Sequence, residues 1–551
     1  PESIPLSYVF GATDFYSLFN GNGWVSGKGE RNIIPTGFVD IPSRCQQQAF
    51  SINFNENGGS LWVVGSPGSG KSLTLITIAT SIAFTHSPEL AHIYVLEFGT
   101  GALSCLEALP HTGAVVKPNE SERIERLFRF LGKEISSRTE IDWRSKGLPD
   151  IYLFINNVAD FRQQYPDQSE ELGRFIRFGG SVGIHVIVSS NRGSELPRTL
   201  GGNIPSRIVL QMAEKQDYTD VLSIIVSPLS LRTEGRGYYL SEGIVECQIA
   251  FPDKALSIHN LSLDNISNIQ NSEKDLQEIK KVVLEIGGQM SLVCEDKRLP
   301  NKIESMKEEL TVENFMAYLN HHNKIGDETK IPLAIEFENL EPVFIDPLNE
   351  LPFWTVLGPR QSGKTTLLLD FIYHLYECRA VKTQVTCISL KKGPLSKINT
   401  NIPEIEIVDD TNAIIEKCNS FPSLLEEQPD IFRTLIIDDV GLPYLNNNQP
   451  LIKALDQLAE VLVQSSHNHF LFIIADMVGN LKGSFSYSSA LIKLFQQHQT
   501  GVFFSLDDYD SQWFNVRISP QMRKSYNISS GNNLPTGRGF LVRKGKIEYI
   551  Q

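Results

Sequence analysis

Short apolar blocks rich in β-branched and aromatic residues recur along this chain, separated by longer stretches in which apolar residues return at helical spacing. The first set of blocks is LWVVG (61–65), HIYVLEF (92–98), IYLFIN (151–156), GIHVIVSS (183–190) and SRIVLQM (206–212). The second is FWTVLG (353–358), VTCISL (385–390), FRTLIIDD (432–439), FLFIIAD (470–476) and GVFFSL (501–506). Strands that are apolar along their whole length belong to parallel sheets covered on both faces. Alternation with helices predicts an α/β architecture, built twice, with mostly parallel sheets flanked by helices.

The doubling extends to particular residues. The first block runs into Gly65, Ser66, Pro67, Gly68, Ser69, Gly70, Lys71 and Ser72, followed by the helical stretch LTLITIATSIAF. The block FWTVL runs into Gly358, Pro359, Arg360, Gln361, Ser362, Gly363, Lys364 and Thr365, with Thr366 opening TLLLDFIYHLY. A strand, a loop of the form GxxxxGK[ST] and a helix make an anion site, where backbone N–H groups and the helix N-terminus cradle phosphates. The fold class is therefore tandem RecA-like P-loop NTPase domains. Late in each half a second echo appears, GRGYYL at 235–240 and GRGFLV at 537–542.

These repeats divide the chain into a first unit at 1–262 and a second at 331–551. Between them, 263–330 is rich in Asn, Glu and Lys. There Ser272 and Asp275 resemble a capping box. Leu276, Ile279, Val282, Val283 and Ile286 predict an amphipathic helix, stopped by Gly287–Gly288. The reading is a helical connector that packs on the second unit.

The two sites differ in the residues hydrolysis needs. Lys71 and Lys364 would reach the β- and γ-phosphates of ATP, and Ser72 and Thr365 would bind Mg²⁺. Beyond binding, a carboxylate at a neighbouring strand end holds the metal's shell and a second orients or activates water. In the second unit Asp438 and Asp439 stand there, Asp438 toward the metal. In the first unit the matching positions are Asn156 and Asn157, amides that bind water but do not take its proton. The first site is expected to bind nucleotide and hydrolyse it poorly, unless Asp160 supplies the acid. After the next strand, Asn191 and Asp476 are candidate γ-phosphate sensors, with strand-end hydrogen bonding as the competing role for both. Arg207 is a candidate arginine finger for a neighbouring subunit, its counterpart in the second unit being Gly501. Arg236 and Arg538 read as structural.

Composition narrows the function. Of 551 residues 41% are hydrophobic and 21% charged, as in globular proteins. With 50 Lys+Arg against 64 Asp+Glu, the net charge of −14 argues against a broad nucleic-acid binder. Seven scattered cysteines with no CxxC pair suggest reduced thiols in a cytosolic compartment, with neither disulfides nor zinc. No run of 18 apolar residues occurs, and no signal peptide opens the chain. The start at Pro1 suggests a fragment whose anchor lies upstream.

The run NNVADF at 156–161, GIHVIVSSNR at 183–192 and IPSRI at 204–208 resemble the FtsK/SpoIIIE motor family, with its strand-end acids replaced. The stretch from Gly37 to Ser72 and the paired GRG endings resemble the EssC/EccC ATPases of type VII secretion, and this likeness covers nearly the whole chain. The resemblance implies the last two of three consecutive ATPase domains behind a membrane-anchored N-terminal part, working at the cytoplasmic face of the membrane. It implies export of small helical WXG-type proteins, with a substrate's C-terminal signal bound by the terminal domain. The other implied partners are further ATPase domains and membrane components of the same machine, and a homo-oligomeric ring. A DNA translocase of the same superfamily is the alternative, disfavoured by the acidic charge. A non-hydrolysing, nucleotide-stabilised scaffold is the other.

Overall fold

The structure, a computed structural model, describes residues 4–11, 19–20, 23–24, 31–41, 46–226, 233–256, 276–292, 294, 298–306, 310–321, 330–346, 352–377, 383–391, 395, 404–464, 470–481, 489–526, 528 and 534–551. The chain divides into two compact units, Pro1–Ser305 and Met306–Gln551.

In the first unit the strands of the main sheet are β1 (Ile33–Ile41), β2 (Gln46–Asn53), β3 (Leu61–Val64), β4 (Ala91–Glu97), β5 (Thr112–Val116), β6 (Asp150–Asn156), β7 (Ile184–Ser190), β8 (Ser206–Leu210), β9 (Arg236–Leu240) and β10 (Ile244–Ile249). Among the described residues they form one sheet in the order β2-β1-β10-β9-β8-β3-β7-β6-β4-β5. The stretch from β8 to β5 is parallel, and β9, β10, β1 and β2 are added antiparallel.

In the second unit the strands of the main sheet are β11 (Phe353–Leu357), β12 (Thr383–Ser389), β13 (Ile405–Val408), β14 (Phe432–Asp438), β15 (Phe470–Asp476), β16 (Gly501–Phe503), β17 (Gly539–Arg543) and β18 (Lys546–Ile550). Their order, β13-β12-β14-β15-β11-β16-β17-β18, repeats β5-β4-β6-β7-β3-β8-β9-β10 strand for strand. The sequence repeat is thus a repeat of topology: two RecA-like P-loop sheets with the P-loop strand at the centre of each.

Pleating explains why these strands are apolar throughout. Leu61 and Val63 enter one core with the helix Lys71–Thr85, while Trp62 and Val64 enter the opposite core with helices Ser121–Thr139 and Pro166–Phe178. Each fully buried side chain of this kind contributes roughly 1.5–3 kcal/mol. Phe353 and Leu357, against Trp354 and Val356, split in the same way in the second unit. The helix Lys71–Thr85 is buried from Leu73 to Phe84, so it lacks a polar face.

The connector departs from expectation twice. Its helix, Leu276–Ser291, packs in the core of the first unit, not the second: Ile279, Val282, Val283, Ile286 and Met290 join Leu103, Cys105 and Leu106 there. The later helix Val312–His321 gives Phe315 and Leu319 to the second unit's core. Nor does Gly287–Gly288 end the helix. A Cβ on Gly287 would lie 2.5 Å from the Ala108 carbonyl oxygen, so glycine here permits close packing. Burial of the neighbouring apolar residues offsets the roughly 1 kcal/mol that each helical glycine costs. The capping pair Ser272 and Asp275 lies outside the described residues. The five described cysteines, Cys105, Cys247, Cys294, Cys387 and Cys418, are buried and form no disulfide with one another.

Candidate nucleotide sites

Both P-loops have the same backbone. Gly68 (φ 79°) and Gly70 (φ 97°) take the left-handed conformation in the first, and Gln361 (φ 61°) and Gly363 (φ 107°) in the second. Gln361 therefore holds a conformation that glycine adopts freely and other residues do not. Each P-loop lysine is folded onto its own loop. Lys71 Nζ donates to the carbonyls of Gly65 (2.7 Å) and Ser66 (3.0 Å), and Lys364 Nζ to those of Gly358 (2.7 Å) and Pro359 (2.8 Å). The Ser69 and Ser362 hydroxyls are buried with no hydrogen-bond partner in the protein. Such unsatisfied groups, ringed by loop N–H groups at a helix N-terminus, suit a polyphosphate. Ser72 and Thr365 open the same turn of helix as the lysines, and Thr366 is exposed beside them.

The loops are covered differently. In the first unit the Gly235 N–H donates to the Ser69 carbonyl at 3.0 Å, and a Cβ on Gly70 would meet the Gly235 nitrogen at 2.8 Å. The GRG turn thus closes on the P-loop. In the second unit, among the described residues, a Cβ on Gly363 would meet only Phe504, at 3.9 Å. Arg236 pairs with Glu246 across β9 and β10, and Arg538 lies over Phe337.

The carboxylates distinguish the sites most. Asp438 ends β14 and is pushed up to about 6, first by burial and then by Asp439 beside it. Asp439 takes φ 57° and its N–H donates to Asp438 Oδ1 at 3.1 Å. Lys364 is lowered by burial, opposed by the charges of Asp438, Asp476, Asp439 and Asp510. Lys71 is likewise lowered by burial, but a single carboxylate, Glu195, opposes it.

Asn156 and Asn157 sit where Asp438 and Asp439 do, and Asn157 has a matching φ of 65°. Asn156 Nδ2 donates to Glu97 Oε1 (2.9 Å) and its Oδ1 accepts from the Ser189 hydroxyl (2.9 Å). Asn157 Nδ2 donates to Asp160 Oδ2 (2.5 Å) and to the Phe98 carbonyl (3.3 Å), while its Oδ1 is buried without a partner. Asp160 is therefore engaged with Asn157. Strand register pairs Glu97 with Asn156 and Ser389 with Asp438. Relative to the second unit, the acid has moved one strand over. Sequence reasoning passed over Glu97 and Glu195. The signal for Glu97 was an acid closing the apolar run after the P-loop helix.

Two expectations change. Register pairs Val64 with Ser190 and Leu357 with Asp476, so Asp476 corresponds to Ser190 and Asn191 to Met477. Asp476 accepts from the Gly441 and Met477 N–H groups (both 2.6 Å) and from Asn480 Nδ2 (2.7 Å), a strand-end clamp. Asn191 presents its N–H to Glu195 Oε2 at 2.7 Å. Arg207 is held within its own unit. Its guanidinium donates to the carbonyls of Ile204 (3.0 Å), Gly201 (2.9 Å) and Val221 and stacks over Trp62, because it sits near the start of β8, away from the P-loop end. Gly501 holds the same register position, opposite Thr355, at φ 151°, and a Cβ there would collide with the Thr355 carbonyl.

Comparison with known proteins agrees with this geometry. Residues 28–243 match the FtsK/SpoIIIE family. The ESX secretion system protein EccC of Thermomonospora curvata is 24% identical over 575 aligned residues, covering 97% of this chain and 40% of that protein. The ESX-4 secretion system protein EccC4 of Mycobacterium tuberculosis is 24% identical, covering 94% and 40%. The chain thus spans two fifths of the length of these curated relatives. Among solved structures, EssC (ATPases 2 and 3) from Geobacillus thermodenitrificans superposes with a TM-score of 0.76 at 19% identity, covering 96% of each chain. Thermomonospora curvata EccC (ATPases 2 and 3), in complex with a signal sequence peptide, gives 0.54 at 21% identity, covering 97% of this chain and 95% of that one. With two P-loop sheets in tandem and a match to the FtsK/SpoIIIE family across residues 28–243, the chain is similar over nearly its whole length to the EssC/EccC-type ATPases of type VII secretion.

Proposed function

We propose that this chain is the paired nucleotide-binding region of a type VII secretion ATPase, in which the second site hydrolyses ATP and the first binds nucleotide chiefly to hold or regulate structure. The observation that carries this reading is the contrast at matched positions: a half-buried, mutually repelling Asp438–Asp439 pair facing Lys364, against Asn156 and Asn157 in the first unit. In the second site Lys364 would leave its loop carbonyls for the phosphates, Asp439 would orient water and take its proton, and Thr365 with Asp438 would hold the shell of a bound Mg²⁺. Mg²⁺, when bound, would neutralise phosphate charge and offset the repulsion between Asp438 and Asp439. In the first site Lys71, Ser72 and the loop N–H groups bind phosphate. Asn157 Oδ1 accepts a water's hydrogen bond without taking its proton.

The whole machine's work is part of the same proposal. Membrane association comes through segments other than these. Among the described residues no helix is long and apolar enough to cross a membrane. The cargo is secreted helical WXG-type protein, and assembly with further ATPase domains in a ring completes the motor. The peptide-bound relative and the chain's acidic charge support a protein cargo over DNA.

The test is nucleotide occupancy and hydrolysis in single-site variants. Lys71→Ala and Lys364→Ala should each empty only their own site, and hydrolysis should follow Lys364. Turnover that survives Lys364→Ala but falls with Lys71→Ala would reverse the assignment.

A further inference from the structure

Glu97 closes β4, is only 3% exposed, and is the centre of a continuous hydrogen-bonded chain. Its Oε1 accepts from the Gly99 N–H (2.8 Å) and Asn156 Nδ2 (2.9 Å), and its Oε2 from the Leu103 N–H (2.8 Å). On one side the chain continues through Asn156 and the Ser189 hydroxyl to the Asn157 N–H (2.9 Å). These are the positions that carry the acids in the second unit. On the other side, Leu103 lies on the buried face of the short helical segment Ala102–Ala108. That segment carries the connector helix Leu276–Ser291: Lys280 Nζ donates to the Gly101 carbonyl (3.3 Å), and Gly287 packs on the Ala108 carbonyl. Leu103, Cys105 and Leu106 share one core with Ile279, Val283 and Ile286. The helix precedes, in sequence, the second unit that begins at Met306.

We infer that Glu97 is a positioning residue that couples the first nucleotide site to the docking of the connector helix. The inference rests on the reading that the first site holds nucleotide with Mg²⁺. The two states of the device are those of one carboxylate. Without a cation it clamps the Gly99 and Leu103 N–H groups and keeps 99–108 seated under the helix. A cation beside Asn156 competes for the same negative charge, draws it from those N–H groups and loosens the seat. The second unit lacks the device, because Ser389 stands at the matching register position.

Hydrogen exchange on the full chain tests this, with Lys364→Ala silencing the second site and a fluorescent ATP analogue reporting occupancy of the first. On adding nucleotide with Mg²⁺, exchange at 99–108 and 276–291 should rise by about fivefold, the low end of ordinary coupling between sites. In Glu97→Gln the occupancy should persist while the nucleotide-dependent rise disappears. A purely structural role would shift the baseline and leave the response intact. Gly287→Ala, which forces the helix off Ala108, should by linkage tighten nucleotide at the first site by a similar factor. Full occupancy with unchanged exchange, a response that survives Glu97→Gln, or unaltered affinity in Gly287→Ala each overturns the coupling while leaving the nucleotide reading standing. An empty first site in the otherwise native chain overturns both.

Discussion

Asp438 should make the second unit less stable than its asparagine variant. The residue is half-buried at the end of β14, and its carboxyl is raised from 3.8 to about 6 by desolvation and by Asp439. A raised carboxylate pKa means that the fold disfavours the charged form. The cost is absent below the unfolded pKa, grows between about 3.8 and 6, and is fully present above that window. Two pKa units correspond to roughly 3 kcal/mol, an upper figure because a nearby cation or relaxation reduces it. In a unit of this size 1 kcal/mol moves the melting temperature by about 2–4 °C. Asp438→Asn, without nucleotide or Mg²⁺, should therefore raise the second unit's transition by several degrees at pH 7.5. The gain should shrink to about a third at pH 4.5, where the native carboxyl is mostly protonated. Differential scanning calorimetry at the two pH values, with Lys71→Ala as a reference that leaves the second site untouched, measures it. Hydrolysis should fall by orders of magnitude in the same variant. An unchanged or lowered transition at pH 7.5, or an equal gain at both pH values, would refute the electrostatic account of this site.

Arg207→Ala should destabilise the first unit by roughly 1.5–3 kcal/mol, because three carbonyls lose a charged donor and Trp62 loses its stacked guanidinium. Mixing that variant with active chains should not lower hydrolysis per active site, as removal of a shared finger would; a denaturant titration and a mixing assay check the two halves. Gln361→Gly should stabilise the second unit by about 0.5–1 kcal/mol by relieving a left-handed non-glycine residue, measurable as a shift in urea midpoint.

Much of this was legible in the sequence because parallel strands buried on both faces leave an unmistakable apolar signature. The P-loops declare themselves through spacing, and the GRG echoes fell on equivalent strands, β9 and β17. What escaped was set by lateral neighbours. Nothing in YLFINN reveals that Asn156 would face Glu97, because the two are joined by strand pairing across 59 positions of sequence. The sensor assignment slipped by one residue for the same reason: only register fixes Asp476 opposite Leu357. The connector was misread because its apolar stripe says that a partner exists without saying which. The glycine pair looked like a stop because close packing on Ala108 is invisible from local spacing.

The displaced acid gives the asymmetry of the two sites a physical form. In the second unit four carboxylates surround Lys364, and Asp438 and Asp439 repel each other in the absence of a cation. Such a site gains most from a divalent ion and is strained without one, which is the arrangement expected where catalysis takes precedence over stability. In the first unit the same strand ends are neutral amides, and Glu97, the buried acid beside them, is satisfied by two backbone N–H groups and a side-chain amide. That arrangement is stable before any ligand arrives. Replacing Asn156 by Asp would set a second carboxylate against Glu97, which donates nothing in return. Restoring the sequence motif alone should therefore weaken the first unit rather than activate it. Asn156→Asp combined with Glu97→Ser, which copies the pairing of Asp438 with Ser389, should be better tolerated than Asn156→Asp alone. Equal melting temperatures for the single and double variants would mean that the two acids are not in competition.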